Sequence, residues 1–147
     1  MPRALLLVCL GSTLFMTGLI WFVQVIHYPL FEKVAATAFV PYHEAHTRLT
    51  SRLVVIPMLL ELLSSAALVA IRPRLFPTWV AWTCLAVCGG CWLLTALVQV
   101  PQHDQLARGF NLLVWRRLVA TNWARTWLWT VHAVLLIVVV ARELPRD

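Results

Sequence analysis

Histidine is the residue type in this sequence of 147 residues that most directly suggests chemistry. His43 and His46 are three positions apart, so on a helix their side chains share one face. His27 and His103 each follow a long apolar segment and could approach that face. An imidazole can act as a general base or as a ligand of zinc, copper or iron. The set His43, His46 and His103 is therefore a candidate metal site, and two histidines from facing helices could instead hold haem.

A second polar group lies on the last apolar segment. Asn122, Arg125, Trp129 and His132 fall within about 80° of one another on a helix. Arg125 could stabilise an oxyanion or an enolate, with Asn122 as an orienting donor and a histidine as the base. Such a site would deprotonate a phenolic or carbonyl compound without a cofactor. The candidate catalytic residues are therefore His27, His46, His103, Asn122 and Arg125.

A carboxylate inside the second apolar segment suggests a polar floor beneath these groups. Glu61 shares a helical face with His46. At 1.5 Å per residue, Glu61 lies roughly 13 Å below Arg52 and His132 roughly 10 Å below Arg125, so we expect Glu61 and His132 to pair. A lipophilic substrate entering from the bilayer would pass Trp21, Trp129 and Tyr28. The candidate substrate-binding residues are Gln24, Tyr28, Gln99, Trp129, Glu61 and His132.

The composition excludes a soluble domain as the scaffold for these residues. The chain is 61% hydrophobic and 12% charged, whereas soluble domains are about 45–50% apolar and about 25% charged. The net charge of +6 comes from basic residues scattered along the chain, which argues against nucleic acid as a partner. Four apolar segments, at about 4–26, 53–71, 78–100 and 124–141, are long enough to cross a bilayer.

The pattern predicts an all-α integral membrane protein. Continuous apolar segments exclude a β-barrel, whose strands alternate in character, and helices satisfy their own backbone hydrogen bonds in lipid. Short connections then favour an antiparallel, up-down-up-down four-helix bundle. We expect one transmembrane domain over residues 1–147 of a multi-pass cell-membrane protein, with polar loops 28–52 and 101–121 on one face. The lipid bilayer and a small lipophilic ligand are the expected partners, and the oligomeric state is left open.

The cysteines offer a different chemistry. Cys88 and Cys91 enclose two glycines in a C-x-x-C pattern, the spacing of thiol–disulfide redox motifs. The pair lies in mid-segment rather than at a helix N-terminus, and Cys9 and Cys84 lie within segments as well. Small residues of this kind favour close helix packing. Thr95 and Gln99 have the same alternative interpretation as helix-packing residues.

Two short motifs resemble a known family. The run from Val98 to Leu106, VQVPQHDQL, and the run from Asn122 to Thr126, NWART, are similar to the small four-span membrane family that includes the anthrone oxygenases. In that family the third helix ends in a proline-containing polar segment, and the fourth begins with Trp and Asn before an Arg-Thr pair. The family often has an Asn-Pro pattern where this chain has Pro101, Gln102 and His103. The resemblance covers the second half of the chain best. It implies oxidation of an aromatic, polyketide-like substrate and supports roles for His103, Asn122 and Arg125.

Three functional hypotheses follow. The first is a membrane-embedded, oxidoreductase-like protein with a His/Arg/Asn pocket at one end of the bundle, acting on a small lipophilic substrate. The second is an electron-transfer protein that binds haem or a transition metal through its histidines. The third is a non-catalytic membrane assembly partner, whose polar residues serve helix packing alone.

Overall fold

Four long helices make up the fold. The computed structural model describes residues 2–74 and 76–143, and all regular secondary structure in those residues is helical. The helices are the first, Pro2–Lys33, the second, Ala36–Ala70, the third, Thr78–Leu106, and the fourth, Leu112–Glu143. Each is long and apolar enough to cross a membrane. The predictions of an all-α fold and of four such helices are confirmed.

The helices pack as a bundle around two apolar clusters. The first and third helices both pack against the second and the fourth. One cluster, which includes Phe31, Phe39 and Trp129, occupies the half of the bundle that contains His43 and His103. The other cluster fills the opposite half around Cys9, Leu68, Phe76, Cys84 and Leu136. Buried polar side chains lie between the helices, among them His43 and Glu61 of the second helix and Asn122, Arg125 and His132 of the fourth.

The first and third helices share an unusual local feature. Each contains a five-residue π-helical turn, at Val23–His27 and at Thr95–Gln99. In each case a proline lies two residues after the π turn, at Pro29 and at Pro101, and the helix continues through it. A proline ring normally clashes with the carbonyl of the preceding turn and removes a hydrogen bond. The wider π turn that precedes the proline allows the helix to continue.

The predicted boundaries of the polar loops are wrong. Residues 28–52 are not a loop, because the second helix begins at Ala36 rather than near residue 53. Residues 101–121 are not a loop either, because the third helix ends at Leu106 and the fourth begins at Leu112. Hydropathy marks only the apolar part of a helix, and these helices extend beyond it with polar, helix-compatible residues.

The turn between the third and fourth helices explains why this connection is short. Gly109 has φ of +137°, which favours glycine and reverses the chain after the third helix. Asn111 then caps the fourth helix, because its Oδ1 accepts hydrogen bonds from the backbone N–H groups of Leu113 and Val114 at 3.0 and 3.1 Å. The five residues 107–111 are therefore enough to connect the two helices.

Candidate functional site

A cavity of about 230 Å³ lies between the four helices. Its wall is apolar where Met16, Leu19 and Ile20 of the first helix face it, and polar where the second and third helices face it. Its polar lining consists of Tyr28, His46, Thr47, Thr50, Ser51, Thr95, Gln99, His103, Asp104 and Arg125. A concave, mostly apolar site with a few convergent polar groups is typical of a small-molecule site.

Arg125 is the cation of this cavity. It is only 8% exposed, and its Nε–H has no hydrogen-bond partner among residues 2–74 and 76–143. The guanidinium group packs on the ring of Trp129. In the described part of the chain it forms no ion pair with a carboxylate. A buried cation without a counter-ion is costly, so this position favours an anionic ligand group.

His46 is held beside the cavity by two contacts. Its Nδ1 lies 2.8 Å from Nε2 of His27 and 3.2 Å from the Oγ1 of Thr50. His27 comes from the π turn of the first helix, and Thr50 lies one turn after His46 on the second helix. Both contacts use Nδ1, so Nε2 is the nitrogen that His46 can offer to a ligand.

His103 is engaged through both of its ring nitrogens. Its Nε2 lies 3.0 Å from the hydroxyl of Tyr28, and its Nδ1 lies 3.0 Å from Nε2 of His43. A continuous chain of hydrogen-bond contacts therefore runs from Tyr28 through His103 to His43, and His103 holds the Tyr28 hydroxyl in place.

The predicted metal site at His43, His46 and His103 finds no support in the geometry. The nitrogen atoms through which His43 and His103 approach each other are 3.0 Å apart, at hydrogen-bond distance. Among residues 2–74 and 76–143 no group of three His, Cys, Asp or Glu side chains is placed to hold a metal ion.

Glu61 and His132 form the predicted pair. Oε1 of Glu61 lies 2.8 Å from Nδ1 of His132 and accepts a hydrogen bond from the Thr13 hydroxyl at 3.0 Å. Oε2 accepts one from the Trp129 indole at 2.9 Å. Glu61, Trp129 and His132 are fully buried and do not line the cavity. These three residues therefore pack beneath the cavity and do not contact a ligand bound in it.

Gln24 and Asn122 bind each other rather than the cavity. The amide of Asn122 donates to Oε1 of Gln24 at 2.7 Å, and the Gln24 amide donates to the carbonyl of Val119 at 3.1 Å. Neither residue lines the cavity. The first and fourth helices are thus clamped together at this level, and the predicted catalytic role of Asn122 has no geometric support.

Five of the predicted site residues line the cavity, together with five polar residues that were not predicted. The five are Tyr28, His46, Gln99, His103 and Arg125, whereas His27 is one contact removed, through His46. Thr47, Thr50, Ser51, Thr95 and Asp104 were not predicted as site residues. Helical spacing could have indicated two of them, because Thr47 is four residues after His43 and Thr50 is four residues after His46.

The four cysteines are buried free thiols. Cys88 and Cys91 do not line the cavity, and Cys9 makes a 3.3 Å contact with the hydroxyl of Ser65. Leu128 of the fourth helix comes within 3.4 Å of where a Cβ on Gly90 would lie. The Cys-Gly-Gly-Cys segment therefore packs closely against the fourth helix, in agreement with the packing interpretation.

Comparison with known proteins gives no relative: no family model, curated protein or solved structure matches the chain.

Proposed function

We propose that the chain is a multi-pass protein of the cell membrane, with its four helices arranged up-down-up-down. Helix lengths support this, as do the short connections at residues 34–35, 71–77 and 107–111. The outer surface supports it as well, because large apolar side chains on all four helices are exposed, among them Leu7, Ile56, Leu63, Leu97 and Trp127. Such a surface is suited to lipid rather than to water.

We further propose that the cavity is the active site of an oxidoreductase-like enzyme that deprotonates a small lipophilic, aromatic substrate with an acidic hydroxyl or C–H group. The observation that carries this proposal is the pairing of a buried Arg125 without a carboxylate partner and a histidine nitrogen, Nε2 of His46, in one largely apolar cavity. An anion that forms beside a buried guanidinium in a largely apolar cavity is stabilised strongly.

The roles of the individual groups follow from their contacts. Nε2 of His46 accepts the substrate proton while Nδ1 passes its own proton to Nε2 of His27, 2.8 Å away. Arg125 stabilises the enolate or phenolate that results. Gln99 lines the cavity, and its Oε1 atom has no hydrogen-bond partner within the described part of the chain, so it is suited to accept a hydrogen bond from a substrate hydroxyl.

The resemblance to the anthrone oxygenases suggests the oxidation step. Two of the three residues on which it bears, His103 and Arg125, line the cavity. For anthrone itself, the enolate would react with dioxygen, and each anthrone plus one dioxygen would give one anthraquinone and one water. Dioxygen is the oxidant, and the protein contributes deprotonation and anion stabilisation.

The test is anthrone oxidation by the purified protein in lipid nanodiscs, followed by anthraquinone absorbance and oxygen uptake. We expect His46→Gln to lower the rate about 10²- to 10⁴-fold, the usual contribution of a general base, and Arg125→Gln to lower it about 10²- to 10³-fold. Arg48→Gln, which removes an exposed arginine on the second helix, is the control and should leave the rate unchanged.

Other outcomes would overturn the proposal. A rate equal to anthrone autoxidation, or no loss of rate in His46→Gln, would contradict it. A Soret band or a stoichiometric metal in the purified protein would favour the haem- or metal-binding alternative. Alanine substitutions at the histidines that alter thermal stability but never ligand binding would favour a non-catalytic assembly partner.

A further inference from the structure

A second concavity adjoins the first on the outer side of the bundle. It has a volume of about 370 Å³ and is lined by side chains of the first and second helices. Leu19, Val23, His46 and Thr50 line both cavities, so they form a common wall. The remaining lining, Phe22, His27, Tyr42, Ala45, Leu49 and Leu53, belongs to the outer groove alone.

The outer groove differs from the inner cavity in its chemistry. Phe22, Leu49 and Leu53 are 50%, 59% and 52% exposed, so the groove opens on the apolar surface of the bundle. Its polar side chains lie at or near the common wall, where His46 contacts His27 and Thr50. A molecule that occupied both spaces would have a polar head inside and an aliphatic part outside.

Size favours a molecule that uses both spaces. The inner cavity, at about 230 Å³, is smaller than the roughly 300–1,000 Å³ of pockets that enclose a drug-sized ligand. It accommodates a small ring system and little more. Any additional part of a lipophilic ligand must therefore lie outside this cavity, and the outer groove is the apolar space directly beyond the wall formed by Leu19, Val23, His46 and Thr50.

We propose that the ligand is a tailed phenol or enol of the membrane, with its acidic head on Arg125 and its alkyl or isoprenoid tail in the outer groove. This inference rests on the proposed function and names the substrate class of the same site. The tail passes His46 and Thr50, so the head enters sideways from the bilayer between the first and second helices. The sequence placed Trp21 on the entry route, but Trp21 lines neither cavity. Its indole N–H donates a hydrogen bond to the hydroxyl of Thr130 at 2.9 Å.

The experiment compares the equilibrium affinities of 4-dodecylphenol and 4-ethylphenol for the protein in nanodiscs. The concentration of each phenol is expressed as a mole fraction of the lipid. Lipid is as apolar as the groove, so the two phenols should bind the wild type about equally on this scale. Leu49→Trp fills the groove and should lower the affinity for dodecylphenol at least about tenfold, the effect of one steric clash. The affinity for ethylphenol should stay unchanged. Leu63→Trp, at an exposed position of the same helix that lines neither cavity, is the matched control.

Three results would overturn different parts of the proposal. Equal effects of Leu49→Trp and Leu63→Trp on dodecylphenol would overturn the tail groove while leaving the head site intact. Binding of both phenols that is insensitive to Arg125→Gln would overturn the proposed function instead. Equally tight binding of dodecanoate would overturn the phenol class. If Leu49→Trp does not fold, a dodecylphenol with a diazirine at the end of its tail should label the wild type at Phe22, Leu49 or Leu53, and labelling elsewhere would contradict the groove.

Discussion

The guanidinium carbon of Arg125 lies 5.1 Å from the centre of the Trp129 ring, and the indole N–H of the same ring donates to Glu61. One aromatic side chain therefore touches the cation of the cavity on its face and the buried carboxylate at its edge. A desolvated contact between a cation and an aromatic face contributes about 2 kcal/mol or more. Trp129 connects the cavity to the Glu61–His132 pair beneath it.

Trp129→Phe should separate the two functions of this ring. Phenylalanine retains an aromatic face for Arg125 but removes the donor to Oε2 of Glu61. We expect a loss of about 1–3 kcal/mol in the free energy of unfolding, the cost of an unsatisfied buried acceptor. Ethylphenol affinity should change much less. Unfolding in mixed detergent micelles measures the change in stability, and binding to the protein in nanodiscs measures the affinity for ethylphenol.

The control for this variant is Trp79→Phe, at a tryptophan that is 64% exposed. It should alter neither quantity. Equal destabilisation by the two substitutions would mean that the hydrogen bond between Trp129 and Glu61 contributes nothing of its own.

A double-mutant cycle should reveal coupling between Glu61 and His132. Oε1 of Glu61 and Nδ1 of His132 are 2.8 Å apart and fully buried, so removing either one leaves the other without its partner. We expect Glu61→Gln and His132→Ala each to lower the free energy of unfolding. The double variant should lose less stability than the sum of the two single losses, by about 0.5–3 kcal/mol. Strict additivity of the unfolding free energies would show that the pair is not formed.

Asn122→Ala should behave as a structural change. It leaves Oε1 of Gln24 without the 2.7 Å hydrogen bond that clamps the first helix to the fourth. A loss of about 1–3 kcal/mol in stability is expected, with unchanged affinity for ethylphenol because Asn122 does not line the cavity. Thr83→Val, which removes an exposed hydroxyl of the third helix, serves as the control. Loss of affinity without loss of stability would restore the catalytic role expected from the sequence.

The thiols should be unreactive in the folded protein. Cys9, Cys84, Cys88 and Cys91 are each at most 1% exposed and none forms a disulfide. Mass spectrometry after treatment with N-ethylmaleimide should therefore find no modified cysteine under native conditions and four after denaturation. Rapid labelling of Cys88 or Cys91 in the native state would contradict the close packing around Gly90 and reopen the redox interpretation.

The sequence predicted composition-dependent features well and local geometry poorly. Long apolar segments predicted four helices, and helical spacing predicted that Glu61 and His132 would meet, because both inferences depend only on period and rise. The orientation of His103 could not be predicted in this way. Whether its nitrogens face a metal, a ligand or neighbouring side chains depends on Tyr28 and His43, which come from two other helices.

The ends of the helices were unpredictable for a related reason. Pro101 ordinarily predicts the end of a helix, and the polar residues before Leu53 predict a loop. Neither residue type reports the π turn that precedes Pro101 or the helical extension from Ala36. Hydropathy therefore located the apolar parts of the helices correctly and missed the ends that contain His43, His46 and His103.

The π turns also determine how this molecule can tolerate insertions and deletions. A π turn is a single additional residue in an α-helix, and each residue of a regular helix turns the chain by about 100°. Removing one residue from Val23–His27 would therefore leave a regular α-helical turn, and the helix before it would keep nearly the same rotation relative to Tyr28. A one-residue deletion within 23–27 or 95–99 should consequently disturb the packing of the helices much less than a one-residue deletion in a regular part of the same helix, which turns everything before it by about 100°.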